Sequence, residues 1–109
     1  MKKISVNNGN GMLVENVAVY SDTGMSINLV SFNIVHELNL LPVRSTNIVM
    51  CSQNQMRLDI VELFLNSTCN EDGLTSNMKI VCCVDKGMTM EPKSIILGFQ
   101  DTFNMLHLL

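Results

Sequence analysis

An aspartate followed by small polar residues is the part of this sequence with the clearest chemical potential. An apolar strand segment runs into Asp22-Thr23-Gly24, and Ser26 follows two residues later. A carboxylate at the end of a buried strand loses hydration, so it needs hydrogen-bond donors or a charged partner. Two interpretations are open. The Asp22 side chain forms an Asx-turn with its own backbone, or it is a catalytic carboxylate that acts as a general acid or base.

A second segment combines an apolar strand, a glycine and a short helix. Residues 94–97 are an apolar strand that Gly98 ends, and the spacing of Phe103, Leu106 and His107 predicts an amphipathic helix over residues 100–108.

Short runs of Val, Ile and Leu, broken by Gly, Asn, Asp and Ser, predict a mainly β domain that positions these segments. Asn and Gly at residues 7–11 predict a hairpin turn, because both residue types tolerate positive φ. Ser31 is a predicted N-cap for a short helix over residues 32–38. The predicted strands cover residues 3–6, 12–20, 27–30, 47–50, 57–65, 78–84 and 94–97, and residues 66–77 are predicted to be a polar loop.

Composition excludes several classes of protein. The 109 residues fit one domain, and we expect residues 1–109 to be a single unit excised from a longer protein. A net charge of −3 without clustered Lys and Arg argues against direct contact with nucleic acid. No apolar run reaches the roughly 18 residues of a membrane span, and the N-terminus lacks the apolar region of a signal peptide. We therefore expect an intracellular, cytoplasmic protein without membrane contacts.

The four cysteines indicate no metal site. Cys51, Cys69, Cys82 and Cys83 have no CxxC spacing, and neither histidine lies at ligand spacing from a cysteine pair. The adjacent Cys82 and Cys83 are predicted to point to opposite faces of one strand. We expect reduced, structural thiols and no cofactor.

In this order, the segments resemble the retropepsin-like aspartic proteases of retroviruses and long-terminal-repeat retrotransposons. Residues 19–26 are similar to the family's hydrophobic-Asp-Thr/Ser-Gly-Ala-Ser segment, and residues 27–40 to the strand and short helix that follow it. Residues 95–98 are similar to the family's Ile-Leu-Gly, and residues 44–48 to Pao-type elements. The resemblance covers residues 8–109, nearly the whole chain.

The resemblance implies half of a pepsin-type acid protease: a β-barrel with one or two short helices, closed by a C-terminal helix. It implies a homodimer in which two copies of Asp22 share a proton and activate a water that hydrolyses a peptide bond. No cofactor or metal is implied. The implied site consists of catalytic Asp22, the loop residues Thr23, Gly24 and Ser26, a substrate-covering flap tip at Ser52, Gln53 and Asn54, and Gly98 behind the loop.

Two departures from the family pattern keep a second interpretation open. The flap region has no glycine between Pro42 and Cys69, and Met25 stands where the family usually has Ala. Few residues follow the predicted C-terminal helix, so we expect dimerisation to use a surface other than a C-terminal strand. The alternative is a catalytically inactive, domesticated domain that serves as a dimerisation or protein-interaction module.

Overall fold

Seven strands and two short helices make up the described part of the chain. The computed structural model describes residues 2–49, 55–68 and 75–105. In chain order the elements are β1 (Lys2–Asn7), β2 (Leu13–Ser21), β3 (Asn28–Ser31), α1 (Phe32–Glu37), β4 (Arg44–Val49), β5 (Gln55–Thr68), β6 (Thr75–Asp85), β7 (Ser94–Leu97) and α2 (Phe99–Asn104). The expectation of a mainly β fold with one or two short helices is confirmed, and the number is two among the described residues.

Six of the strands close into a barrel. The order is β1-β2-β7-β3-β6-β5, and the last strand pairs with the first through Val6 and Leu65. β4 pairs with the first half of β5, antiparallel, and lies outside the closed ring. β7 lies between two strands from the first third of the chain, parallel to β2 and antiparallel to β3. This insertion brings the end of β7 beside the end of β2.

Alternating apolar residues fill the barrel. In β5, Val61, Leu63 and Leu65 are fully buried, as the two-residue period of a strand requires. The other inward residues come from every strand of the ring, from α1 and its C-cap and from the C-cap of α2, and the cluster includes Ile4, Val6, Val14, Val17, Val19, Val30, Ile34, Leu38, Ile80, Cys82, Val84, Ile95, Leu97 and Met105. Among the described residues, the buried polar side chains are Asn28, Ser31, Ser94 and Thr102.

The predicted turn over residues 7–11 is confirmed between β1 and β2. Gly9 and Gly11 adopt φ values of 82° and 94°, a region that side chains with a Cβ rarely occupy. Asn7 and Asn8 each accept a bond from a backbone N–H two residues further on. These local bonds satisfy the turn and set the register of the first hairpin.

Both helices are shorter than predicted. Ser31 precedes α1, but its side chain does not cap the helix; Ser31 Oγ instead accepts the Ser94 N–H at 3.3 Å. α2 ends at Asn104, and residues 106–108 of the predicted helix lie outside the described residues. The prediction that Phe103 lies on a buried apolar face of this helix is wrong, because Phe103 is 55% exposed. In the folded chain, the buried side chains of this segment are those of Thr102 and Met105.

The predicted polar loop over residues 66–77 is also partly wrong. β5 continues to Thr68 and β6 begins at Thr75, with paired residues from Asn66↔Asn77 to Thr68↔Thr75. Backbone hydrogen bonding between two long neighbouring strands extends the hairpin past its apolar segment, since a ladder needs no apolar side chains to continue. Within the described ranges, no helix has the length and apolar character that crossing a membrane requires.

Candidate active-site loop

Asp22 lies where two strands end side by side. It follows the last residue of β2, and its N–H donates to the Leu97 carbonyl at the end of β7 at 2.8 Å. Its own carbonyl accepts the Met25 N–H at 3.1 Å, which closes a tight turn. The Asp22 side chain is exposed. The backbone of the aspartate is therefore fixed by the sheet while its carboxylate faces outward.

The carboxylate of Asp22 is oriented by the loop that follows it. Oδ1 accepts the Gly24 N–H at 3.0 Å. A Cβ on residue 24 would lie 3.3 Å from that oxygen, tighter than an ordinary contact, so glycine permits this close approach. The bond is the Asx-type turn that the sequence left open as an alternative. It also holds one oxygen of the exposed carboxylate in place, so it is compatible with both interpretations.

Gly98 passes close to the backbone of the loop. A Cβ at this position would lie 2.6 Å from the Ile27 carbonyl oxygen and 2.8 Å from the Met25 carbonyl oxygen. Directly after it, the Phe99 N–H donates to the same Met25 oxygen at 2.8 Å. The start of α2 and the Asp22 loop are thus in direct backbone contact at a spacing that only glycine allows.

A buried asparagine, which the sequence analysis missed, joins the loop to the barrel. Asn28 is 6% exposed, and its Oδ1 accepts the Gly98 N–H at 2.8 Å. Its Nδ2 donates to the Val81 carbonyl at 3.0 Å and to the Asp101 carboxylate. The sequence did contain a signal for this role, since Asn28 is a polar residue between Ile27 and Leu29 in a predicted strand. A buried amide must find hydrogen-bond partners. Its partners are 53 to 73 residues away and could not be inferred locally.

Thr23 and Ser26, the other predicted loop residues, are both exposed. Ser26 lines a cavity of about 220 Å³. The cavity's further walls come from β3, β4, β5, β6 and α2: Ile27, Asn28, Arg44, Ile60, Val81, Cys82, Cys83, Gly98, Gln100 and Asp101. The β4–β5 hairpin occupies the place of the predicted flap. Its predicted tip, Ser52, Gln53 and Asn54, lies outside the described residues.

An apolar row crosses the outer face of the sheet beside Asp22. Register pairs link five residues of five neighbouring strands, none of which belongs to the barrel core. In order from β2 to β5 the row is Tyr20, Ile96, Leu29, Cys83 and Ile60. The first three are half-buried and the last two buried. Each strand's alternation was visible in the sequence, but the row was not, because it depends on which strands are neighbours.

Three titratable groups near the row, Tyr20, Cys82 and Cys83, have raised pKa values, which favours their neutral forms. Tyr20 Oη donates to Glu91 at 2.8 Å, and this hydrogen bond, with partial desolvation and the Glu91 charge, raises the pKa of the phenol. Burial raises the pKa of Cys82 well above 9.0, and Asp101 and Cys83 act in the same direction. Burial also raises the pKa of Cys83, which the nearby Arg44 partly offsets. Neither thiol is therefore a thiolate nucleophile at neutral pH.

The prediction of two faces for the vicinal cysteines is confirmed. Cys82 belongs to the barrel core, whereas Cys83 lies in the outer row, and both are free thiols. Cys51 and Cys69 lie outside the described residues. Among the residues that the structure describes, no group of three or more His, Cys, Asp or Glu side chains is placed to hold a metal ion.

Comparison with known proteins leaves the geometry as the main guide to function. No protein-family model matches the chain, and no curated protein matches it either.

Proposed function

We propose that the chain is an aspartic endopeptidase of the retropepsin type that acts as a homodimer. The observation that carries this proposal is the exposed Asp22 carboxylate, held by the Gly24 N–H on a loop that is clamped to the ends of β7 and α2. A nucleophilic water needs a carboxylate of fixed orientation that substrate can reach. β7 lies between β2 and β3, so the Ile-Leu-Gly segment stands beside the strand that leads into Asp-Thr-Gly. This proximity of the two segments supports the same proposal.

The chemistry requires a second carboxylate, which a two-fold axis beside the loop would supply. Two copies of Asp22 a few ångströms apart cannot both ionise readily, so they share one proton and titrate as a pair. The ionised member takes a proton from the attacking water, and the protonated member donates to the peptide carbonyl oxygen. The exposed Thr23 hydroxyl is available for a bond between the two loops.

The apolar row supports a polypeptide substrate. It begins at Tyr20, two residues before Asp22, and continues across the sheet toward the β4–β5 hairpin. An extended peptide places alternate side chains on one side, so the half-buried residues Tyr20, Ile96 and Leu29 offer it apolar contacts, whereas Cys83 and Ile60 are already buried within the chain. The β4–β5 hairpin is the element available to cover a substrate that lies along it.

Cleavage of a peptide mixture at about pH 4 to 6, where a shared-proton pair is active, tests the proposal. Asp22→Asn should lower the cleavage rate by about 10²- to 10⁴-fold, the usual contribution of a general acid or base. A statine-type transition-state inhibitor should abolish the same activity. Glu15→Gln, an exposed carboxylate on β2, is the matched control and should cleave at the parent rate. Cleavage that persists in Asp22→Asn and resists the inhibitor would contradict the proposal.

The second candidate is a non-cleaving domain that binds a partner. It is favoured by the glycine-free stretch from residue 43 to residue 68, because a mobile lid needs backbone freedom at its tip. Met25, half-buried in the loop itself, adds bulk beside the carboxylate. Absence of turnover in the parent, with an association that Asp22→Asn leaves unchanged, would favour this candidate over the protease.

A further inference from the structure

The outward face of α2 presents two exposed aromatic rings. Phe99 and Phe103 expose 53% and 55% of their surface, and their ring centroids are 4.9 Å apart in an edge-to-face arrangement. Thr102 and Met105 anchor the same helix in the barrel, at 7% and 0% exposure. Exposed aromatic rings that already pack on each other form a preordered apolar surface, the kind found at the centre of protein interfaces.

This aromatic pair is continuous with the Asp22 loop. The Phe99 N–H donates to the Met25 carbonyl at 2.8 Å, and the Met25 N–H donates to the Asp22 carbonyl at 3.1 Å. Gly98 also lies close to this carbonyl, since a Cβ on it would be 2.8 Å from the Met25 oxygen. Two hydrogen bonds therefore separate the backbone of the first ring from that of the aspartate. A partner that covers the rings also reaches the loop.

The exposed part of the surface formed by the loop and α2 has a single charge. Of its exposed residues only Asp22 carries a charge, although the chain has 17 Asp, Glu, Lys and Arg side chains and a net charge of −3. The others are Ser21, Thr23, Gly24, Ser26, Ile27, Phe99, Gln100, Phe103 and Asn104. Asp101, the acidic residue of α2, is half-buried, and its carboxylate accepts hydrogen bonds from Asn28 and Asn104. A two-fold interface brings the same patch of both copies together, so charges within it tend to meet their equals. Among the exposed residues, the like-charged pair created is the carboxylate pair that can share a proton.

We propose that a second copy of this chain docks on the aromatic pair of α2, and that this contact brings the two Asp22 loops together. The need for a second carboxylate rests on the proposed aspartic mechanism, whereas the choice of surface rests on the exposed rings and their link to the loop. Phe99 and Phe103 are then interface residues that complete the site without touching substrate.

Sedimentation of the 109-residue chain over a range of concentrations tests the surface directly. The parent should show a monomer–dimer equilibrium, and Phe99→Ser/Phe103→Ser should raise the dimer Kd by at least about 30-fold, as loss of an aromatic hot spot does. Phe32→Ser is the matched control, since Phe32 is an exposed ring (39%) that stacks on His36 of α1. It should leave the Kd within about twofold. Circular dichroism of each variant confirms that the barrel is folded.

A conservative substitution provides an independent measurement that does not depend on destabilising the helix. The chain has no tryptophan, so Phe103→Trp introduces a single reporter. Its emission should shift to shorter wavelength as the dimer forms, in step with sedimentation. A parent that stays monomeric up to millimolar concentration, a double variant that dimerises like the parent, or a reporter that stays solvated in the dimer would each overturn the inference.

The same samples separate this inference from the proposed protease. A dimer that depends on the rings but cleaves nothing would leave the interface standing and remove the protease. Cleavage by a dimer that is indifferent to both phenylalanines would remove the interface and leave the protease.

Discussion

Gly98→Ala should destabilise the fold strongly, because the added methyl group meets backbone on two sides. The Cβ would lie 2.6 Å from the Ile27 oxygen and 2.8 Å from the Met25 oxygen, where an ordinary contact begins at 3.4 Å. Relief needs a retreat of about 0.8 Å at the tighter of the two contacts, the difference between these distances. Both contacts are with carbonyl groups of the loop, so no side-chain rotation provides the space.

The cost of that retreat follows from the bonds it stretches. The Gly98 N–H bond to Asn28 Oδ1 and the Phe99 N–H bond to the Met25 oxygen are both 2.8 Å. Loss of two such bonds costs about 1 to 3 kcal/mol, and overpacking adds about 1 to 3 kcal/mol. We expect the free energy of unfolding to fall by about 2 to 6 kcal/mol, and the proposed protease would lose cleavage with it because the Asp22 loop moves.

Urea unfolding followed by circular dichroism measures this change. With a slope of about 2 kcal/mol per molar for a chain of this size, the midpoint should fall by about 2 M. Gly87→Ala is the matched control: its Cβ would meet Thr89 Cγ2 at 3.7 Å and Asp85 Oδ1 at 4.0 Å, both ordinary contacts. We expect that variant to stay within about 1 kcal/mol of the parent. A Gly98→Ala midpoint indistinguishable from that of the control would refute the close packing behind the loop.

Two further predictions concern polar groups near the loop. Asn28→Leu should lower the free energy of unfolding by about 2 to 4 kcal/mol, because the Gly98 N–H and the Asp101 carboxylate lose their buried partner. Asn77→Leu, at an exposed position of β6, is the control, and equal midpoints in urea for the two variants would contradict the network. Tyr20, the single tyrosine of the chain, should titrate above 10.0 in an absorbance titration, and Glu91→Gln should move its pKa back toward that value. A Tyr20 pKa that does not respond to Glu91→Gln would show that the hydrogen bond is not formed in solution.

Much of the fold was predictable because strands and turns depend on short-range chemistry. The turn at Gly9 and Gly11 follows from backbone freedom, and β7 follows from an apolar run that Gly98 ends. The prediction was wrong at element ends: the β5–β6 hairpin extends to Thr68 and Thr75 because pairing with a neighbouring strand overrides the polar composition. A local pattern contains no information about how long two strands remain paired.

The candidate site was predictable only in part. Asp22, Gly24 and Gly98 stood out by residue type and spacing, and the structure brings all three to the place where the Asp22 loop contacts the end of β7. Asn28, which joins this place to the barrel, went unrecognised because its bonds reach residues more than 50 positions away. The row from Tyr20 to Ile60 was equally hidden, since it exists only once five strands have taken their places.

By itself, the sequence determined the strand alternation, the first turn and the choice of Asp22 as the candidate carboxylate, because each depends on residues within a few positions of one another. Tertiary structure alone decided that β7 inserts between β2 and β3, that an asparagine ties the loop to the barrel, and that the rings of α2 face outward. The physical reason is closure of the barrel: which edges pair is settled by burial of the whole apolar core, a condition that no single segment contains.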